Sequence, residues 1–224
     1  MGGMCGRYVL FTAKEQLIES IRSETGVEHV DDIATQIGAE SIYRQSYNVA
    51  PTHTVPVVRE FRERLAIGPA QWGYPRGSSG GVIFNARGET AFDKFSFQGS
   101  APCLFVMDGW YEWTGEKGAK QPWYTTRTDG RPLLVAGLCK PFDATVCATI
   151  VTCPAREELE WLHHRMPRLL TGEEAMAWLE APEEDARALA RAVPQMPADV
   201  ISRKADRAVG GVGNNRPELI APQE

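Results

Sequence analysis

The sequence predicts an α+β fold: a strand-rich, antiparallel, barrel-like sheet flanked by a few helices. Apolar, β-branched and aromatic runs recur along the chain, as in TVPVVRE, RLAIGPAQWG and VCATIVTC. Helical patterns are few and do not alternate with these runs, which excludes a doubly wound parallel sheet with helical crossovers. Turn residues punctuate the runs, and the DG pair inside PWYTTRTDGRPLLVAGL reads as a hairpin turn. With 224 residues, 43% of them hydrophobic, the chain can bury an ordinary core and reads as one domain over 1–224.

The elements follow in order. TAKEQLIESIRSETG predicts a helix, with Thr12 and Glu15 at capping-box spacing, Leu17, Ile18 and Ile21 on one face and Gly26 as the stop. The segment through YNVAPTH is rich in turns. TVPVVRE and RLAIGPAQWG predict two strands around a charged turn. CLFVMDGWYEW reads as one apolar strand running into an aromatic cluster, and VCATIVTC as a buried strand. Two helices follow in TGEEAMAWLE, with a second Thr-x-x-Glu start, and in PEEDARALARAV, before an extended stretch near DVISRKADRAV. YPRGSSGG is too short to join independent domains.

Composition narrows the function classes. The 24 Lys and Arg against 29 Asp and Glu give a net charge of −5, which excludes a protein coated in positive charge but not a local basic cleft. No run of ~18 apolar residues predicts a membrane span. The five cysteines lack metal-type pairing and point to a reducing, cytoplasmic setting. Cys103, Cys139, Cys147 and Cys153 lie in or beside apolar runs and read as small buried hydrophobes. Cys5 stands apart, directly behind Met4 in MGGMCGRYVL. Exposed as an N-terminus, it offers an α-amine of reference pKa about 7.7 to 8.0 beside a thiol of about 8.5.

Four segments place a chemically useful group at the end of an apolar run: MCGRY, FNARGET, DGWYEW and LHHRMP. Asn85 either caps a turn or serves a site. Glu112, among Trp110, Tyr111 and Trp113, either points to solvent or sits where aromatic surroundings make a carboxyl a general acid. His163 and His164 are adjacent, so on a strand or loop they point in opposing directions and at most one of them faces a site. No third ligand completes a zinc pattern, and no cofactor is expected.

With YNVAPTH, WGY, PWY and RAVGGVGNNRPELI in the same order, these segments resemble the SOS response-associated peptidase (SRAP) family, whose members attach themselves to abasic sites in single-stranded DNA. The resemblance implies that Cys5 is the nucleophile and that Asn85, Glu112 and His163 are its catalytic partners, with His164 in a variable slot. It implies phosphate contacts from Arg7, Arg87 and Arg165, and base stacking on Pro51 and Trp110. The implied partner is single-stranded DNA containing abasic sites, bound by a monomer that needs neither metal nor membrane and is cytoplasmic or nucleoid-associated. An amine captures the open sugar aldehyde as a Schiff base and the adjacent thiol closes a thiazolidine, which accounts for cysteine rather than lysine or serine. His163 would then promote opening of the sugar ring and Glu112 would shuttle protons.

The sequence departs from the family twice. PRGSSGG replaces a tryptophan-containing loop after WGY, which removes a wedge against duplex DNA. Residues 1–4 form a leader that would block the amine of Cys5, so they are expected to be absent or removed in the active form. Two other readings use the same residues: a thiol peptidase or amidase built on Cys5, His163 and Glu112, including self-cleavage ahead of Cys5, and a DNA-binding module without catalysis.

Overall fold

The chain is described by a computed structural model over residues 6–77, 80–116 and 118–223. It opens with β1 (Tyr8–Leu10), followed by α1 (Lys14–Thr25), whose Leu17 and Ile21 are buried and whose end is fixed by Gly26 at φ 73°. The start of α1 differs from the expected capping box. Ala13 is the N-cap without a side-chain bond, because the Thr12 hydroxyl donates to Asp108 instead (2.5 Å). Short elements β2 (Asp31–Asp32) and α2 (Ile33–Gln36) lead to β3 (Ser46–Val49).

The hairpin expected from TVPVVRE and RLAIGPAQWG forms as β4 (Thr54–Phe61) and β5 (Arg64–Trp72), paired from Thr54↔Gln71 to Phe61↔Arg64. Its turn places Arg62 and Glu63 at positive φ. Beyond Gly73, β6 (Tyr74–Pro75) and β7 (Val82–Ile83) pair as a small ribbon, and β8 (Asn85–Arg87) follows.

CLFVMDGWYEW is two strands rather than one. β9 (Ala101–Met107) and β10 (Gly109–Thr114) belong to different sheets, separated at Asp108. The buried Asp108 carboxylate accepts from the backbone N–H of Phe11 (2.5 Å) and Thr12 (2.9 Å), and its carbonyl accepts from Tyr124 and Thr126. These bonds hold the chain where it changes sheets. The DG turn likewise joins β11 (Gln121–Arg127) to β12 (Leu133–Phe142), which do not pair: the turn forms, with Gly130 at φ 72°, but passes the chain from one sheet to the other. β13 (Thr145–Pro154), α3 (Glu157–Glu160), β14 (Arg165–Pro167) and β15 (Leu169–Leu170) follow. α4 (Gly172–Glu180) opens with the expected capping box of Thr171 and Glu174, and α5 (Glu183–Arg191) and β16 (Val200–Lys204) complete the order.

The first sheet runs β16-β11-β10-β1-β3 and the second β14-β13-β12-β9-β4-β5-β2. β13 also meets β5 in a short parallel pairing, Cys147↔Gln71 and Ala148↔Trp72, so the second sheet is ring-like rather than a fully closed barrel. The main core lies between the sheets and includes Tyr8, Trp72, Phe105, Trp110 and Trp178. Cys103, Cys139, Cys147 and Cys153 are buried, as expected of small hydrophobes. A second cluster of Val9, Tyr111, Tyr124, Ala205, Val209 and Leu219 covers the other face of the first sheet.

Candidate active site

The N-terminal strand is the middle of the candidate site. Tyr8 lies across from Trp110 and Val9 from Gly109, and the Tyr111 N–H donates to the Arg7 carbonyl (3.0 Å). Continuing that register sets Gly6 across from Glu112. Cys5 and the leader lie outside the described residues, but Cys5 immediately precedes Gly6 in the chain. Gly109 is required for β10 to approach its neighbour, since a Cβ there would stand 2.3 Å from the Thr125 carbonyl oxygen and 2.6 Å from the Tyr124 ring.

Residues two apart share a strand face, so Trp110 and Glu112 point the same way, as do their cross-strand partners Thr125 and Trp123. Along this face burial is nearly complete at Trp110 and Glu112 and gives way to half-buried Trp123. Trp110 is 1% exposed inside the core, which corrects its expected role as a stacking surface: no base can reach it. Trp113, on the opposite face with Tyr111, is only half-buried.

Asn85 lies on the second sheet. Its strand β8 runs parallel to β13, with Asn85 beside Ile150, and the preceding Phe84 carbonyl accepts from the Trp72 indole (2.9 Å). The Trp72 ring lies 5.1 Å from that of Tyr8, which links Asn85 to the strand that carries Gly6.

His163 sits on the loop between α3 and β14. The edge of Trp161 meets Trp123, the cross-strand partner of Glu112, with ring centroids 4.8 Å apart. His163 Nδ1 lies 3.0 Å from the Arg165 N–H and 3.2 Å from the Arg165 carbonyl. One partner suits each neutral tautomer, so the ring can present Nε2 as proton donor or as acceptor without losing its anchor. Burial holds its pKa below the ordinary histidine value against an upward pull from the Arg165 backbone, with smaller downward contributions from the charges of His164, Arg165 and Lys120. His163 and His164 do not point in opposing directions, contrary to the expectation for neighbours on a strand or loop. They lie on a loop, with rings stacked 4.3 Å apart, His163 half-buried and His164 exposed.

The arginines divide. Arg165 is buried and forked onto Glu89 (2.5 and 2.7 Å), with further bonds to the Thr152 carbonyl and hydroxyl. This corrects its expected phosphate contact: its charge is engaged, and it braces the backbone that holds His163. Arg87 is exposed on β8. Arg7 is half-buried, donates to the Gly210 carbonyl (3.5 Å) and has a buried Nε with no partner among the described residues. Its charge adds to burial in lowering the pKa of His53. Pro51 is half-buried in the same loop as His53, next to Thr52 at φ 80°. His53 was not among the residues singled out in the sequence, and only its place in YNVAPTH hinted at it.

Among the described residues no group of three or more His, Cys, Asp or Glu side chains is arranged to hold a metal ion. No described helix is long and apolar enough to cross a membrane.

Register thus sets Gly6 across from the buried Glu112, and the anchored His163 lies two residues from Trp161, which meets the cross-strand partner of Glu112. The chain belongs to the SOS response associated peptidase (SRAP) family, whose model matches residues 4–212. It is 34% identical to the abasic site processing protein YedK of Escherichia coli, over 98% of this chain and all of YedK. It is 28% identical to YoqW of Bacillus subtilis, over 97% of this chain and 99% of YoqW, and 29% identical to HMCES of Gallus gallus, over 83% of this chain and 68% of HMCES. Both carry the name abasic site processing protein. The fold matches a crystal structure from Bacteroides thetaiotaomicron with a TM-score of 0.76 at 19% identity, covering 98% of this chain and all of that one. A phage-related protein of Bordetella bronchiseptica matches with a TM-score of 0.69 at 26% identity, over 91% and 95% of the two chains.

Proposed function

We propose that this protein captures abasic sites in single-stranded DNA by a covalent bond to Cys5. The observation that carries the reading is the β1–β10 register, which brings the residue after Cys5 across from Glu112. Family membership and the names of the relatives support the same lesion as substrate.

The α-amine of Cys5 adds to the C1′ aldehyde of the opened sugar, and loss of water leaves an imine. The thiol sulfur then adds to the imine carbon, its proton passes to nitrogen, and a five-membered thiazolidine closes. The balance is one aldehyde and one N-terminal cysteine in, one thiazolidine and one water out. His163 at Nε2 moves the proton that opens the sugar hemiacetal, and Glu112 serves the proton transfers of imine formation and reversal. Asn85 holds the amine or the opened sugar hydroxyl. Arg7 and Arg87 meet the flanking phosphates, and Pro51 abuts a neighbouring base.

The test is incubation with single-stranded DNA carrying one abasic site, followed by heat and denaturing electrophoresis. Wild type is expected to give a heat-stable adduct. Cys5→Ser should lose it while retaining noncovalent binding, because serine keeps the amine but closes a less persistent ring. An adduct at wild-type yield from Cys5→Ser would overturn the thiazolidine. Intact-mass measurement of the active protein should find a chain beginning at Cys5. If it is expressed from Met1 and trims itself, Cys5→Ala should retain residues 2–4.

A further inference from the structure

We propose that Trp161 and Trp123 form a ledge that stacks a base beside the abasic site, with Lys120 and Lys204 meeting the phosphates of that nucleotide. The proposal rests on the reading of the site above and adds a subsite formed by Trp161, which lies in none of the segments singled out in the sequence, and Trp123 of PWY, to which no role was given. Trp161 is 54% exposed, yet its ring is fixed. Its Nε1 donates to the Glu158 carbonyl (3.0 Å), and its edge meets Trp123 at an interplanar angle of 84°. Trp123 is pinned in turn, its Nε1 donating to the Thr114 hydroxyl (2.8 Å). Indoles already held in place lose little freedom when a base stacks on them, and stacking on a fixed aromatic tolerates any base.

Position and charge select the occupant. Trp123 lies across from Glu112 on one side and Lys204 on the other, all on one face of the sheet. Trp161 is two residues ahead of His163, and Lys120 directly precedes β11, three residues before Trp123, where its charge adds slightly to the lowering of the His163 pKa. The ledge therefore begins where the reacting sugar would lie and leads toward two exposed lysines in a chain of net charge −5. On the other side, α3 carries Glu157, Glu158 and Glu160, of which Glu158 pairs with Arg156 (3.3 Å). These carboxylates repel phosphates, so the backbone passes on the lysine side and the base turns onto the indole. An apolar peptide would leave the lysines unused, whereas a nucleotide uses both halves.

The test measures noncovalent binding by fluorescence anisotropy, using a single strand with a central tetrahydrofuran abasic analogue that has no aldehyde to react. Trp161→Ala should weaken binding about tenfold, within the range of ~1–3 kcal/mol per stacked base, and Trp161→Phe should stay within about threefold of wild type. Replacing both neighbouring bases with further tetrahydrofuran units should weaken wild-type binding about tenfold as well. Trp161→Ala should then lose nothing more, because both changes delete the same contact. Lys120→Gln with Lys204→Gln should flatten the salt dependence of binding. Unaltered affinity in Trp161→Ala, equal further loss on the base-free strand, or no single-strand binding by wild type would each overturn the ledge. Failure of the aldehyde-bearing strand to form an adduct would overturn the covalent reading instead, and the anisotropy series decides the ledge in either case.

Discussion

His163 has its proton chemistry set by its own chain. Its Nδ1 is within hydrogen-bonding distance of both backbone groups of Arg165, and Arg165 is itself clamped by Glu89 and Thr152. His163→Ala should slow adduct formation about 100-fold, the scale of a lost general acid–base group. His164→Ala should stay within about twofold at neutral pH, because its stacked ring adds only charge repulsion to His163. Removing that repulsion raises the His163 pKa, so the acidic limb of the rate profile, expected below pH 6.5 in wild type, should move up toward that value. Because folding lowers this pKa, the fold favours the neutral ring. The associated stability is complete above the unfolded value near 6.5 and is lost as pH falls below it. Asn85, Glu112 and His163 stand out as candidates in the sequence because each ends an apolar run within a recognisable segment. The burial of Trp110 was not legible, since Trp110, Tyr111 and Trp113 are all aromatic and the alternation that separates inner from outer faces is hidden.

Between elements, the decisive point is Asp108. The sequence reads CLFVMDGWYEW and PWYTTRTDGRPLLVAGL as continuous features, whereas both are junctions where the chain leaves one sheet for the other. Local apolar content marks the strands correctly, but pairing is decided by distant partners, and nothing near Asp108 names Phe11 and Thr12 as its donors. Asp108→Asn should destabilise the protein by ~1–3 kcal/mol, because the amide keeps one acceptor oxygen for the Phe11 and Thr12 N–H groups and gives up the second, which now accepts from the Thr12 hydroxyl. Burial outweighs those donors and holds the Asp108 pKa above the ordinary carboxylate value. Folded wild type therefore keeps its proton longer than the unfolded chain, and the carboxyl's contribution weakens as pH rises from about 4. Denaturation at several pH values should show the gap between wild type and Asp108→Asn widest near pH 4 and narrower at neutrality.

At the scale of the whole molecule, the C-terminal segment closes the structure over β3. Asn48 donates through Nδ2 to the carbonyls of Val209, Gly211 and Asn214, and Val209 and Leu219 fill the second core cluster. The repeated glycines and asparagines of GGVGNNRPELI mark a turn-rich tail, but not the strand it is tied to. Asn48→Ala should lower stability by ~1–3 kcal/mol and speed protease cleavage after residue 206, measured by thermal melting and limited digestion. The position of β1 has a mechanical consequence. It is paired on both sides, with β10 through Tyr8↔Trp110 and with β3 through Leu10↔Ser46. A nucleic-acid strand joined to Cys5 and dragged by a translocating motor would pull on this strand along its length. Two ladders of hydrogen bonds would then bear the load in shear together, instead of opening one by one as at a peeling edge. An attachment at Cys5 would thus hold under tension, with rupture governed by the rate of unfolding rather than by the equilibrium stability of the fold.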